Sequence, residues 1–194
     1  IEYEFFPELH SEVSPDQIKD YDAVIAYVVN WTAESFKGVE RLALLVRFGV
    51  GYDMVDVGAC IENDIILAIT PAGVRTPMAE GTLTLMLALA KQIVPKEKVL
   101  RDNRWHDHKL IYGSCLANQV VGTVGVGNIG GELMRLLEPF GLASRLAYDP
   151  YCTPELAAEL GVELVELDTL LRDSDFVAIN CPHTDQTRKL IGPD

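Results

Sequence analysis

The stretch VVGTVGVGNIGGELMRLLEPFG, residues 120–141, decides the fold class that the sequence predicts. An apolar run leads into three glycines with the spacing G-x-G-x-x-G, and a helical pattern follows them. We expect Gly125 to allow a tight turn, Gly127 to let the backbone approach a phosphate group, and Gly130 to let helix and strand pack closely. The helix N-terminus would then offer unpaired N–H groups and a partial positive charge to an anion. The spacing is a weak signal alone, but its position between a predicted strand and a predicted helix favours a dinucleotide-binding loop.

An acidic residue at the end of the next predicted strand agrees with such a loop. Asp149 ends the run RLAYD and follows Gly130 by 19 residues, so its carboxylate can bind both hydroxyl groups of an adenosine ribose. The next residue is Pro150 rather than an arginine, which favours NAD over NADP. Two alternatives stay open: a structural glycine turn with an aspartate cap, and another ribose-containing ligand such as an S-adenosyl compound.

The composition is that of a globular protein, and it argues against several function classes. Of 194 residues, 48% are hydrophobic, and the formal net charge of −13 would repel a nucleic-acid backbone. No apolar run reaches the length that spans a membrane. The four cysteines are widely spaced and form no C-x-x-C pair. We therefore predict no metal site and a reducing, cytoplasmic location.

Short apolar runs alternate with helical patterns along the chain, which predicts an α/β fold with parallel sheets. A long apolar helix, opened by Pro77 and ended or kinked by Pro95, follows the first part. From residue 120 the order β-α-β-α-β-α-β is typical of the first half of a doubly wound sheet. The strand candidates of the first part are YEFF (3–6), AVIAYVV (23–29, expected to be buried on both faces), ALLVRF (43–48) and IILAIT (65–70).

Five ordered motifs resemble those of one known family. They are RFGVGYDMVDV (47–57), TPMAEGTLTLMLALAK (76–91), VGTVGVGNIG (121–130), LAYDP (146–150) and NCPHTDQTRKLIG (180–192). Together they resemble the D-isomer-specific 2-hydroxyacid dehydrogenases, which include phosphoglycerate dehydrogenase and glyoxylate/hydroxypyruvate reductases, with the C-terminal-binding-protein corepressors as relatives. The resemblance covers nearly the whole chain. It implies a flavodoxin-like substrate domain over residues 1–98, followed by the first half of a Rossmann NAD-binding domain over residues 99–194.

The resemblance also implies which residues bind ligands. Backbone N–H groups of Gly49, Val50 and Gly51 would hold the carboxylate of a small 2-hydroxy or 2-keto acid, because glycines keep side chains out of the way. For Cys181, a small residue facing the core is an equally good interpretation. Arg75 lies near the predicted passage between the domains, where it could touch substrate or a partner subunit, but a simple loop cation is the preferred interpretation. The cofactor-binding residues would be Gly125, Gly127, Asn128, Ile129, Gly130, Asp149, Pro150, Cys181, Pro182 and Thr187.

The family's reaction is hydride transfer between the nicotinamide and C2 of the substrate, with a histidine, a glutamate and an arginine as the catalytic residues. In the family all three follow the segment that NCPHTDQTRKLIG matches, so we expect them beyond Asp194 and assign no catalytic residue. The chain is therefore expected to be the N-terminal portion of a D-2-hydroxyacid dehydrogenase, homodimeric at full length and inactive as this piece. The alternative is a non-catalytic NAD-binding corepressor or redox-sensor module of the same family.

Overall fold

The computed structural model describes residues 1–6 and 11–192. His10 and Asp194 lie outside the described residues. The chain forms two compact units, which divide between Val74 and Arg75. The predicted domain boundary between residues 98 and 99 stays a prediction.

The first unit contains a three-stranded parallel sheet in the order β1-β2-β3. The strands are rich in leucine and in β-branched residues, which suit a pleated, half-buried surface. Asp56 caps the second helix, because its carboxylate accepts a hydrogen bond from the N–H of Ala59 at 2.9 Å. The elements are α1 (Pro15–Ile18), β1 (Ala23–Ala26), β2 (Leu44–Arg47), α2 (Val57–Glu62) and β3 (Ile66–Ile69).

Two predictions for the first unit are wrong. Residues 3–6 form no strand. The run 23–29 is not buried on both faces, because Val24 and Ala26 face the core whereas Ile25 and Tyr27 are 73% and 67% exposed. A continuous apolar run does not reveal how many layers cover a sheet, and within the described residues this strand is covered on one face.

The long helix, which crosses the boundary at residue 75 and belongs mostly to the second unit, differs from the prediction at both ends. It is α3 (Pro71–Ala90), which begins six residues before Pro77 and contains that proline. Pro71 takes the first helical position, where a missing N–H costs no hydrogen bond. Gln92, at φ +55°, separates α3 from α4 (Ile93–Arg101), so the break precedes Pro95, which lies in the first turn of α4. Within the described residues, no helix combines the length and the apolar character needed to cross a membrane.

The second sheet has four parallel strands in the order β6-β5-β4-β7. This is the order 3-2-1-4 of a doubly wound dinucleotide-binding fold, and it confirms the predicted half-Rossmann arrangement. The opening motif supplies the central strand β4 and the helix that follows it. The elements are β4 (Val120–Val124), α5 (Asn128–Leu136), β5 (Ser144–Tyr148), α6 (Pro154–Leu160), β6 (Glu163–Leu164), α7 (Leu167–Asp173) and β7 (Phe176–Ile179).

The core of the second unit lies between α3, α5, α6 and the sheet. Its fully buried side chains include Val121 of β4, Leu133 and Met134 of α5, and Ala79 of α3. Burial of these side chains fixes α5 on the sheet, so that its N-terminus stands at the carboxyl end of β4. The glycine loop is therefore carried by rigid elements on both sides.

Candidate cofactor-binding site

Two glycines of the loop are required by the backbone itself. Gly125 has φ +93°, and a Cβ there would lie 3.0 Å from the backbone nitrogen of Cys181. A Cβ on Gly130 would overlap the carbonyl oxygen of Gly125 and lie 3.1 Å from its carbonyl carbon. The turn role of Gly125 and the packing role of Gly130 are therefore visible in the fold. Their contact with a cofactor stays a prediction.

Gly127 has a different reason to be glycine. Its φ of −63° suits any residue, and a Cβ there would meet no atom within 4 Å. Because Asn128 and Ile129 open α5, their N–H groups have no acceptor inside the helix, and within the described residues none is found elsewhere. The loop thus combines open space with unpaired donors, which fits the diphosphate of a dinucleotide.

Asp149 reaches back from the end of β5 to the glycine loop. Its Oδ2 accepts a hydrogen bond from the N–H of Val126 at 3.0 Å, and its Oδ1 accepts one from Tyr151 at 2.9 Å. Each carboxylate oxygen keeps a further lone pair, so the ribose hydroxyls could still donate to it. The structural and the ligand-binding interpretations of Asp149 are thus compatible.

Two polar side chains, Thr123 (buried) and Asn180 (partly buried), support the loop, and sequence reasoning missed them. The hydroxyl of Thr123, which is fully buried in β4, donates to the carbonyl of Gly125 at 2.9 Å. Asn180, just after β7, donates from Nδ2 to that hydroxyl at 3.0 Å. The signal was a threonine inside an otherwise apolar strand, since a buried hydroxyl needs a partner.

Three of the predicted cofactor-binding residues, Cys181, Pro182 and Thr187, lie in the loop after β7. Cys181 is half-buried and packs against the cluster of Val124, Leu146 and Leu170. The hydroxyl of Thr187 donates to the carbonyl of Pro182 at 2.5 Å, so it shapes the loop. Contact of Cys181, Pro182 and Thr187 with a cofactor stays a prediction, as does that of Pro150, which is exposed beside Asp149.

A thiol borders this region as well. Burial raises the pKa of Cys152, and the negative charge of Asp149 raises it further. The thiol is therefore neutral near pH 7 and adds no charge beside the aspartate.

The loop predicted to bind the substrate carboxylate lies in the first unit. The N–H of Gly49 donates to the hydroxyl of Thr70 at 2.8 Å and is therefore not free for a ligand. The N–H groups of Val50 and Gly51 have no acceptor among residues 1–6 and 11–192. Gly49 has φ +138°, and a Cβ there would collide with the guanidinium of Arg47. Two of the three predicted donors are thus available.

A family model described as "D-isomer specific 2-hydroxyacid dehydrogenase, NAD binding domain" matches residues 83–194. The chain belongs to this family. The matched range contains β4 to β7, so the glycine loop and Asp149 belong to the NAD-binding domain of a D-2-hydroxyacid dehydrogenase family member. The family resemblance, the α/β fold and NAD as the cofactor are thereby confirmed.

Relatives in the family carry several names. The D-3-phosphoglycerate dehydrogenase of Methanocaldococcus jannaschii is 34% identical over 193 residues, which are 98% of this chain and 36% of that protein. The glyoxylate reductase of Korarchaeum cryptofilum is 30% identical, over 92% of this chain and 55% of that protein. The D-lactate dehydrogenase of Aquifex aeolicus, solved with NAD and lactic acid, superposes with a TM-score of 0.77 at 27% identity, covering 90% of this chain and 52% of that one. The chain thus spans about a third of the length of the phosphoglycerate dehydrogenases that it matches.

Proposed function

We propose that this chain is part of an NAD-dependent oxidoreductase that acts on the CH–OH group of a D-2-hydroxy acid, or in reverse on the carbonyl of a 2-keto acid. The observation that carries the proposal is the glycine loop, where unpaired N–H groups face open space at Gly127 and Asp149 stands at the loop's edge. The family match places this loop in an NAD-binding domain. When bound, the nicotinamide cofactor supplies the hydride acceptor or donor.

The residues of the chain would bind and orient the two ligands. The N–H groups of Asn128 and Ile129 would hold the diphosphate, and the carboxylate of Asp149 would accept hydrogen bonds from the adenosine ribose. In the first unit, the N–H groups of Val50 and Gly51 would donate to the carboxylate of the substrate. The side chains around the bound acid would determine which 2-hydroxy acid is accepted, whereas these N–H groups would recognise the carboxylate that all such acids share.

The choice of NAD over NADP rests on charge. A 2′-phosphate on the adenosine ribose would come against the carboxylate of Asp149, and the next residue, Pro150, offers it no positive charge. We therefore expect the chain to bind NADH more tightly than NADPH. Equal affinity for the two cofactors would show that Asp149 does not contact the ribose.

We further propose that the 194-residue chain binds NADH without turnover. The resemblance implies a catalytic histidine paired with a glutamate, and within the described residues no histidine forms an ion pair with a carboxylate. An arginine, a glutamate and a histidine from further along a full-length family member would complete the site.

The test combines binding and turnover on the same sample. NADH fluorescence should rise on titration with the wild-type chain. It should stay low with Gly127→Val, whose branched side chain would fill the open space beside the loop. Oxidation of NADH with hydroxypyruvate or glyoxylate should remain at background. A wild-type chain that fails to bind NADH refutes the cofactor site, and steady turnover refutes the proposed inactivity.

A homodimer is also part of the proposal, because α3 and α4 carry an exposed apolar surface. Leu85 and Leu89 of α3 are 68% and 64% exposed, and Ile93 and Val94 at the start of α4 are exposed as well. We expect a dimer in sedimentation velocity experiments, and a monomer after Leu89→Lys. The matched control is Ile61→Lys, at an equally exposed apolar position of α2, which should leave the dimer intact. A wild-type monomer would contradict the proposal.

We propose a cytoplasmic location because the cysteines form no disulfide bond within the described part of the chain. All four cysteines lie in the described part of the chain, and all four are free. Free thiols are typical of proteins in a reducing compartment. Labelling of the native protein in cells, followed by fractionation, tests the location.

A further inference from the structure

The carboxylate of Glu132 holds two arginines beside the glycine loop. Glu132 lies in the first turns of α5, and only 17% of its side chain is exposed. Its Oε2 is 3.5 Å from Nε of Arg75 and 3.8 Å from a terminal nitrogen of Arg135, and its Oε1 accepts a hydrogen bond from the hydroxyl of Thr76 at 3.1 Å. The carboxylate therefore positions guanidinium groups from two different helices.

The two arginines differ in what else they bind. A terminal nitrogen of Arg135 donates to Glu159 at 2.7 Å, so that guanidinium is also tied to α6. Arg75 is 48% exposed on its side chain. Among residues 1–6 and 11–192, no hydrogen-bond acceptor is found for its terminal nitrogens. Arg75 thus keeps both terminal nitrogens free, while its Nε faces Glu132.

Arg75 lines the same cavity as the loop that receives the cofactor. The cavity has a volume of about 230 Å³. Its polar wall contains Arg75, Gly127, Asn128 and Arg135, and its apolar wall contains Leu156 and Leu160. Arg75 and Asn128 therefore line one space, and each carries N–H groups that have no acceptor among the described residues.

We propose that Arg75 binds the diphosphate of the cofactor, and that Glu132 positions it for this role. The inference rests on the proposed function. A diphosphate carries two negative charges, and a chain with a formal net charge of −13 repels it at long range. The α5 N-terminus offsets only about half a charge, whereas a guanidinium adds a full charge and two parallel donors.

The position of Arg75 adds little to the stability of the helix. Arg75 is the fifth residue of α3, beyond the first turn where the helix dipole acts, and the dipole does not stabilise a cation at this end. A half-exposed ion pair contributes little to stability by itself. Stability of the fold therefore gives no adequate reason for this arginine, whereas an anionic ligand does.

The test separates phosphate binding from structural support. Affinities for ADP and for adenosine are measured by competition with NADH, using the 194-residue chain. Loss of one charge-assisted pair of hydrogen bonds should weaken ADP binding about 5- to 20-fold in Arg75→Ala, and about 2- to 5-fold in Arg75→Lys. Adenosine, which has no phosphate, should bind within about 2-fold of wild type in both variants, on the same hydrogen-bond argument.

Two further variants complete the design. Arg172→Ala removes an exposed arginine of α7 that also faces a carboxylate but does not line the cavity, and it should leave ADP binding unchanged. Glu132→Gln should weaken ADP binding in the same direction as Arg75→Ala, because the guanidinium loses its anchor. Far-UV circular dichroism confirms that each variant is folded.

The outcomes distinguish this inference from the proposed function. Wild-type ADP affinity in Arg75→Ala, or an equal loss of ADP and adenosine affinity, overturns the role of Arg75 and leaves the cofactor site standing. A wild-type chain that binds neither ADP nor NADH overturns the proposed function and this inference with it.

Discussion

Two substitutions in the glycine loop should affect different properties: Gly130→Ala should lower the stability of the fold, and Gly127→Ala should lower the affinity for the cofactor. Gly130→Ala places a methyl group against the carbonyl oxygen of Gly125, which is backbone and has no free rotation to escape. Overpacking of this kind costs about 3 kcal/mol, and the better helix propensity of alanine returns up to about 1 kcal/mol. The net expected loss is about 2 kcal/mol in the free energy of unfolding.

The loss can be read as a shift in melting temperature. For a cooperative unit of about 120 residues, a loss of about 2 kcal/mol lowers the midpoint by about 8 °C. Thermal unfolding followed by circular dichroism measures this shift, and the second unit is the one that should melt earlier. A Gly130→Ala variant that melts within about 2 °C of wild type, on the same scaling, would falsify the packing argument.

Gly127→Ala should leave stability nearly unchanged and lower the affinity for the cofactor. A Cβ there meets nothing within 4 Å, so the stability should change by no more than about 1 kcal/mol. Affinity for NADH should nevertheless fall, because the methyl group occupies space that the cofactor's diphosphate needs. Gly81→Ala in α3 is the matched control, since its Cβ also meets no atom, and it should leave NADH affinity unchanged. Wild-type affinity in Gly127→Ala would contradict the proposed position of the diphosphate.

Three further predictions concern single side chains. Asp149→Asn keeps one acceptor oxygen and loses the charge, so the N–H group of either Val126 or Tyr151 loses its acceptor. Titration with NADH should show weaker binding. Unchanged NADH affinity would indicate that the role of Asp149 is purely structural. Thr123→Val leaves the partly buried Nδ2 of Asn180 without its acceptor and should lower the free energy of unfolding, measured in urea, by about 1–2 kcal/mol. The loss should be smaller when Asn180→Ala is already present. Burial, and secondarily Asp56, raises the pKa of the Cys60 thiol in the folded state. The stability that this thiol contributes is therefore present at neutral pH and is lost as the pH rises from about 8.5 through the folded-state pKa, so the pH slope of unfolding should flatten in Cys60→Ala.

Local signals predicted most of the second unit correctly. Gly161 ends α6 through its backbone conformation, with φ +60°. Gly141, with φ +65°, ends a short 3-10 helix (Glu138–Phe140) that follows α5. The start of the long helix could not be read from the sequence, because both Pro71 and Pro77 suit a first helical position. In the structure the helix begins at Pro71 and contains Pro77. The run YEFF forms no strand, because β propensity describes side chains that fit a sheet and no strand among the described residues pairs with residues 3–6.

The sequence by itself determined the family, the parallel α/β order and the glycine loop with Asp149, because these depend on spacing along the chain and on the backbone freedom of single residues. Only the tertiary structure decided which donors and acceptors remain free for a ligand. Gly49 bonds to a residue 21 positions away, Asp149 to one 23 positions away, and Asn180 to one 57 positions away. A hydrogen bond between distant segments leaves no mark in the local sequence, and it consumes the N–H or hydroxyl group that a motif alone would assign to the ligand.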